Sequence, residues 1–286
     1  MLSLLQQVPR LMKVVKREHI WLQELTKSQQ IDGIISDNRY GLFHTEIPSV
    51  IITHQLQVQT GLGAVADGVL RRLHYRYLER FSACWVADTE SEGNLSGKLA
   101  HPEVLPNNAR YLGLLSQFAG MNGVEGDYLL VLLSGPEPQR SILSEKLWQQ
   151  VLQHKGRVVF VEGSEQSRYA DEIPAHMEYH GRLTKDLLLP LLRNASMVIC
   201  RSGYSTLMDL VALGKKAIVI PTPGQTEQEY LARHLHHSGI FLRARQQDFE
   251  LQKALAEAAG FVFKKSGVAE NFNQYEQVLS SWVRSL

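Results

Sequence analysis

Apolar residues recur along the chain in two rhythms, one of helical period and one of short continuous runs. Leu4, Leu5, Val8, Leu11, Met12, Val15, Leu22 and Leu25 stand three, four or seven apart, which predicts an amphipathic helix over 4–25 that Pro9 starts or kinks. Ile31–Ser36 then reads as a short buried strand and Asp37–Gly41 as a polar loop. Pro48–Thr53 reads as a second buried strand, its proline at a first position that tolerates one. A helix over Val65–Phe81 and a third strand over Ala83–Ala87 follow. This alternation predicts a parallel sheet covered on both faces.

Between Asp88 and Gly126 the rhythm is broken by Gly93, Gly97, Pro102, Pro106, Asn107, Asn108, Gly120 and Gly123. A second series then begins. Strands are expected at Tyr128–Ser134, Arg157–Val161, Met177–His180, Met197–Cys200, Ala217–Pro221 and Ile240–Leu242. Helices are expected at Ser141–Gln153, Thr184–Asn194, Ser205–Leu213, Thr226–His237, Gln247–Ala259 and Val268–Leu286. Short connections between them fit a Rossmann-like domain. The fold class is therefore α/β with two Rossmann-like parallel-sheet domains. The expected division is a partial first domain at 1–89, a linker at 90–126, a second domain at 127–267 and a terminal helix at 268–286 that packs back toward the first domain.

Composition narrows the function classes. The chain has 286 residues, room for two domains, and its 44% hydrophobic and 21% charged residues are ordinary for a soluble protein. A formal net charge of +1 gives no global attraction to nucleic acid. Cys84 and Cys200 belong to no CxxC or Cys/His cluster, so no structural zinc is expected, and buried free thiols fit a reducing, cytoplasmic compartment. No run approaches the roughly 20 apolar residues of a membrane span. Gln6, Gln7, Arg10, Lys13, Lys16 and Arg17 interrupt the N-terminal stretch, which is not a signal peptide. The basic helix over 4–25 is expected to pack on the sheet, with peripheral contact to a membrane surface as its alternative.

In open α/β sheets ligands bind beyond the carboxyl ends of the strands, which directs attention to three loops. Gly135-Pro-Glu-Pro-Gln-Arg140 follows one apolar strand; a glycine turn leading into a helix exposes amides to an anion, and Arg140 adds a charge. An ordinary strand-to-helix turn has the same wording. Arg201-Ser-Gly-Tyr-Ser-Thr206 follows another, with Ser202, Gly203 and Ser205 at the helix entry and Asp209 a turn further on, where a carboxylate suits a vicinal diol. Read alone, Ser205 is equally an N-cap and Asp209 a solvated helix residue. Thr222–Tyr230 places Gln225, Gln228 and Glu229 where they suit sugar hydroxyls or simply the polar first turn of a helix.

The segments Gly181-Arg-Leu, Arg201-Ser-Gly, Asp209, Ala212-Leu-Gly214, Ile220-Pro-Thr-Pro and Gln228-Glu-Tyr230 together resemble the C-terminal domain of glycosyltransferase family 28. Ile47–Gln55, Val104–Asn108 and Leu133–Pro136 are similar to upstream pieces of the same family, so the resemblance covers most of the chain from Asp32 on. It implies the GT-B fold, two Rossmann-like domains facing a cleft, and transfer of a hexose-type sugar from a UDP-sugar to an acceptor hydroxyl. By that resemblance Arg201, Ser202, Gly203 and Ser205 face the donor's nucleotide and diphosphate, and Asp209 holds the ribose. Gln225, Gln228 and Glu229 read the donor sugar, while Gly135 and Arg140 stand near the phosphates. Asp37, Asn38, His54 and Gln55 lie on the acceptor side, with His54 the candidate base. Asp209 is shorter than the family's Glu, Glu229 replaces a Gln, and Ile52-Thr-His-Gln-Leu56 departs from the family's His-Glu-Gln-Asn. The Glu229 departure leaves the identity of the donor sugar open, and the Ile52–Leu56 wording points away from the peptidoglycan precursor as acceptor, though a lipid-linked acceptor stays open.

The family's opening strand and glycine-rich, His-containing loop have no counterpart before Ile31, and about three strands precede the linker. Roughly 90 residues of the parent architecture are therefore expected to lie outside this sequence or to come from a partner subunit. No cofactor is expected, and the lack of a DxD-like carboxylate cluster gives no metal site. Two rival readings remain: a non-catalytic or partner-dependent nucleotide-sugar-binding subunit, and a GT-B-type UDP-sugar 2-epimerase.

Overall fold

The computed structural model describes residues 2–57, 63–91, 93–165, 168–169, 173–267 and 272–286. It divides into two compact units, Met1–Leu114 with Asn273–Leu286, and Leu115–Phe272.

The first unit comprises α1 (Leu2–Ser28), β1 (Ile34–Asp37), β2 (Ser49–Thr53), α2 (Ala64–Leu78), β3 (Ala83–Val86), a 3-10 turn at Gly97–Leu99, β4 (Ala109–Tyr111) and, from the far end of the chain, α8 (Gln274–Val283). Its strands stand in the order β1-β2-β3-β4, every pair parallel. The apolar runs of β2 and β3 are buried, as a sheet covered on both faces requires. Ile51, Leu78, Phe81, Cys84 and Val86 form the core of one face. On the other, Trp282 of α8 meets Trp85 edge-on at 5.6 Å, and a Cβ on Gly33 would stand 2.6 Å from the Trp282 ring. α1 buries Val15 and Leu22, seven apart, while Pro9 lies inside the helix.

β4 falls in the stretch read as breaker-rich linker, so four strands precede the second unit where about three were expected. Its Ala-Arg-Tyr is too short for a periodicity, and tertiary pairing with Cys84–Val86 makes it a strand. The stretch 90–126 also buries Leu95, Leu99, Leu112, Leu114 and Phe118.

The second unit comprises β5 (Tyr128–Leu132), α3 (Gln139–Val151), β6 (Val158–Val161), β7 (Met177–His180), α4 (Lys185–Arg193), β8 (Ala195–Cys200), α5 (Tyr204–Ala212), β9 (Ala217–Val219), α6 (Thr226–His237), β10 (Leu242–Arg243) and α7 (Leu251–Gly260). The strand order is β10-β9-β8-β5-β6-β7, all parallel. The chain winds outward from β5 to β7, returns to β8 on the other side of β5, and winds outward again. This is the doubly wound order, with its topological switch point between β5 and β8. Leu129, Val131, Phe160, Ile199, Ile218 and Leu242 carry one core across the sheet. Each such side chain contributes on the order of 1.5–3 kcal/mol by leaving water.

Two helices begin later than their patterns predict. α7 starts at Leu251 rather than Gln247 because α3 side chains hold the preceding segment in a turn. Lys146 donates to the Gln246 carbonyl at 2.9 Å and Gln150 donates to the Phe249 carbonyl at 3.1 Å. The terminal helix spans Gln274–Val283, and the part of its expected range at 268–271 lies outside the described residues.

Candidate functional site

The register of the second sheet brings the three expected loops to one edge. Leu132 pairs with Cys200, and Cys200 with Val219, so β5, β8 and β9 end side by side. The loops carrying Gly135, Ser202–Gly203 and Thr222–Gln228 leave from those adjacent ends, at and beside the switch point.

Gly135 has φ 103°, a left-handed conformation that disfavours any side chain, and its vacant Cβ position has nothing within 4 Å. Gly203 opens α5 in extended conformation, likewise with open space where a Cβ would stand. Among the described residues no side chain caps this helix, and the first rung of its ladder is Leu207 N–H to Gly203 C=O at 3.0 Å. The amides of its opening turn thus lie outside the ladder, where the helix dipole favours negative charge. Ser205 is exposed, whereas Ser202 is buried and donates to the Gln228 carbonyl at 2.9 Å. That bond ties the α5 entry to α6.

The α6 side chains fold their own loop. Gln228 Oε1 accepts from Thr222 N–H at 2.9 Å, Glu229 Oε1 accepts from Gly224 N–H at 3.0 Å, and Gln225 opens the helix. With Gln228 Oε1 in use, its Nε2 donors are the end left for other partners.

Two arginines are placed differently from expectation. Arg201, expected to face the donor, is 2% exposed and points inward. It donates to the carbonyls of Ile220 and Pro221 at 3.3 Å each and of Gln139 at 2.7 Å. Burial lowers its pKa to about 10, so it stays charged at neutral pH. Arg140 donates to Glu137 at 2.6 Å and to the Gly163 carbonyl at 2.5 Å, and Ser141 N–H and Arg168 also reach the Glu137 carboxylate. The bonds from Ser141 and Arg140 hold Glu137 down to about 2. Its carboxylate is an internal anion for α3, so Arg140 is already neutralised.

Asp209, on α5, accepts from Ser116 Oγ at 2.6 Å and from Gln117 Nε2 at 3.0 Å. Burial raises its pKa, against the pull of those bonds and of Lys185. Neither Ser116 nor Gln117 was singled out in the sequence. They stand 93 and 92 residues away in a stretch read as linker, and no local pattern marks the contact.

The first sheet gathers the acceptor-side candidates along its carboxyl edge. Asp37 pairs with Ile52, Asn38 follows in left-handed conformation at φ 53°, and Asn38 N–H reaches the Ile52 carbonyl at 3.0 Å. His54, half-buried, and Gln55 follow β2, and Gln55 N–H donates to Thr53 Oγ1 at 3.1 Å. The same edge holds Asp88, fully buried just after β3, which accepts from the backbones of Thr89, Leu95 and Ser96 and from Ser96 Oγ. The strand-end rule would have found Asp88, had the linker not been started there. Among the described residues no three His, Cys, Asp or Glu side chains converge as metal ligands, and no helix is long and apolar enough to cross a membrane.

Two doubly covered parallel-sheet units, the second wound in Rossmann order around an amide-rich strand edge, define a GT-B-type protein. Residues 139–273, a little under half of the chain, match the glycosyltransferase family 28 C-terminal domain, so the second unit carries that domain. A curated relative, the UDP-N-acetylglucosamine--N-acetylmuramyl-(pentapeptide) pyrophosphoryl-undecaprenol N-acetylglucosamine transferase of Desulforudis audaxviator, is 42% identical over 71 residues. That stretch is 24% of this chain and 19% of the relative, so the chain matches about a fifth of the relative's length. Among solved structures, the glycotransferase of kitacinnamycin aligns over 98% of this chain and 83% of its own, with TM-score 0.66 and 14% identity. A putative UDP-N-acetylglucosamine 2-epimerase from Listeria monocytogenes aligns over 95% and 79%, with TM-score 0.57 and 10% identity. At such identities these two speak for the fold alone.

Proposed function

We propose that this protein is a glycosyltransferase that moves a sugar from a uridine diphosphate sugar to an acceptor hydroxyl, with the second unit as the donor site. The observation that carries this reading is the meeting of three loops at the adjacent ends of β5, β8 and β9 around the uncapped start of α5. In the proposed complex the diphosphate lies against the backbone at Gly135, Gly203 and Ser205. Arg201 supplies a fixed positive charge beneath it, and Ser202 holds the helix entry in place. As the bond from the sugar to the diphosphate breaks, negative charge builds on the departing phosphate, and preorganised amides with a buried cation stabilise that charge without reorganising. Asp209 accepts from the ribose diol, and Gln225, Gln228 and Glu229 read the donor sugar. On the first unit His54 takes the proton of the acceptor hydroxyl, with Asp37, Asn38 and Gln55 as acceptor contacts.

Calorimetry with UDP tests the donor site directly. D209A is expected to weaken binding about tenfold, the worth of a charge-assisted hydrogen bond. Wild-type affinity is expected to fall as pH drops through the raised pKa of Asp209, hence at higher pH than for an ordinary aspartate. Unchanged affinity in D209A would remove the carboxylate from the site. Product analysis with a UDP-hexose then separates transfer to an acceptor from epimerisation at C2 and from binding without turnover.

The acceptor is proposed to be lipid-linked. α1 exposes Leu11, Met12, Val14 and Trp21 beside Arg10, Lys13, Lys16 and Arg17, the mixture that suits the surface of an anionic bilayer. Co-sedimentation with vesicles rich in phosphatidylglycerol is expected, weakening with salt and in W21A. Equal recovery on neutral vesicles would count against the contact.

A further inference from the structure

We infer that Ser116 and Gln117 are positioning residues that present the Asp209 carboxylate to the ribose of the donor and so set the preference for a ribonucleotide over a deoxyribonucleotide. The inference rests on the donor site proposed above and goes further, because it assigns a role to a loop that lies in none of its three strand-end segments.

An ionised carboxylate has about four lone-pair sites, two on each oxygen. Ser116 Oγ occupies one on Oδ1 at 2.6 Å, and Gln117 Nε2 one on Oδ2 at 3.0 Å. The Gln117 backbone N–H also bears on the carboxylate, so about one site remains, which suits one O–H of the ribose diol. Two partners on two different oxygens also fix the plane of the carboxylate, which a single partner would leave free to rotate. The partners are themselves anchored. Ser116 Oγ accepts from Phe118 N–H at 3.1 Å, which sets the hydroxyl proton toward Asp209. Phe118 is fully buried, and Leu115 N–H meets the Met208 sulfur at 3.3 Å, one residue before Asp209 on α5. The segment 115–118 is thus bolted to the same helix whose N-terminus opens the proposed phosphate site.

Helix geometry fits the role. Tyr204 and Asp209 are five residues apart, a rise of about 8 Å along α5, so phosphate and ribose contacts follow each other along one rigid element. A charge-assisted bond to the 2′-hydroxyl is worth about tenfold in affinity. That gain is realised only where the acceptor atom is already in place, since ordering a free side chain cancels part of it. The bonds also favour the ionised form of Asp209 against the burial that opposes it.

The test compares UDP with 2′-deoxy-UDP by calorimetry, with thermal unfolding alongside. The wild type is expected to prefer UDP about tenfold. In S116A/Q117A the preference is expected to shrink to about twofold, with melting temperature nearly unchanged. S116T, which keeps the hydroxyl, is expected to restore the Oδ1 bond and most of the preference. Gln117 is exposed, so Q117A alone loosens the carboxylate where the double variant fails to fold. A full preference in Q117A and S116A/Q117A overturns the positioning role and leaves the donor site standing. A wild type that binds both nucleotides equally, or neither, overturns the ribose contact and the positioning role together.

Discussion

Replacing Arg201 with methionine is expected to cost about a hundredfold in UDP affinity while changing the stability of the second unit by no more than about 2 kcal/mol. Two opposing magnitudes decide the stability. The guanidinium is 2% exposed, and its pKa, lowered to about 10 by burial, means that its charge costs about 3 kcal/mol at neutral pH. For a base whose folded pKa is depressed, that cost is present throughout the range below about 10 and is relieved only as pH rises through that value. Against it stand the bonds to the carbonyls of Ile220, Pro221 and Gln139, each contributing about 1 kcal/mol, somewhat more for a charged donor. Methionine removes both terms and fills the same volume, so the two nearly cancel. Binding has no such compensation. Arg201 has carbonyls and no carboxylate as partners among the described residues, so its charge is unneutralised until an anion arrives. At an effective dielectric constant of about 20, a unit charge at about 6 Å contributes about 2.8 kcal/mol, or two orders of magnitude in affinity. Urea unfolding and calorimetry on the same variant separate the two effects. Wild-type UDP affinity in R201M would show that the diphosphate lies away from the start of α5.

That arginine also shows where the sequence stops being informative. Its position after Met-Val-Ile-Cys put it at a strand end, which is right, but whether a side chain there turns outward or inward depends on acceptors 19, 20 and 62 residues away. The sheet itself was legible because strands buried on both faces are written as continuous apolar runs, as in Tyr128-Leu-Leu-Val-Leu132. β4 was not, since Ala-Arg-Tyr gains its strand character from Cys84–Val86 rather than from any pattern of its own. The strand-end rule brought Gly135, Gly203 and Gln228 to one edge, because register follows from the order of the strands. Ser116 and Gln117 reach Asp209 only through tertiary packing, and a polar pair in a glycine-rich stretch carries no local mark of such a contact.

Asp88 yields the second large effect, in the first unit. Asp88→Asn is expected to destabilise that unit by about 3–5 kcal/mol, near the top of the range for single substitutions. Oδ1 accepts from Thr89 N–H at 2.8 Å and Leu95 N–H at 3.1 Å, and Oδ2 from Ser96 N–H at 2.9 Å and Ser96 Oγ. Three of the four neighbours are backbone N–H groups and only the Ser96 hydroxyl can turn to accept, so whichever way the asparagine amide turns, its NH2 leaves at least one backbone donor buried and unpaired. His101 Nε2 stands 3.5 Å from Oδ2, while its Nδ1 lies 3.1 Å from the Tyr111 hydroxyl, which itself donates to the Ala100 carbonyl. Loss of the carboxylate therefore loosens the whole turn from Leu95 to His101. The damage reaches the acceptor-side candidates, because the Leu99 carbonyl in that turn accepts from Leu56 N–H at 2.7 Å and Gln57 N–H at 2.9 Å, directly after His54 and Gln55. Acid gives the same result by another route. Burial alone would raise the Asp88 pKa, but the bonds from His101, Ser96 and Leu95 outweigh it and leave the group below its ordinary value. A folded pKa below the unfolded one means that the stabilisation is complete above about pH 4 and is lost as pH falls through the folded value. Urea unfolding of the wild type is therefore expected to weaken steeply below about pH 4, and that of D88N to start lower and respond less. If the two proteins lost stability in parallel over that range, the buried carboxylate would not be the group that holds the turn.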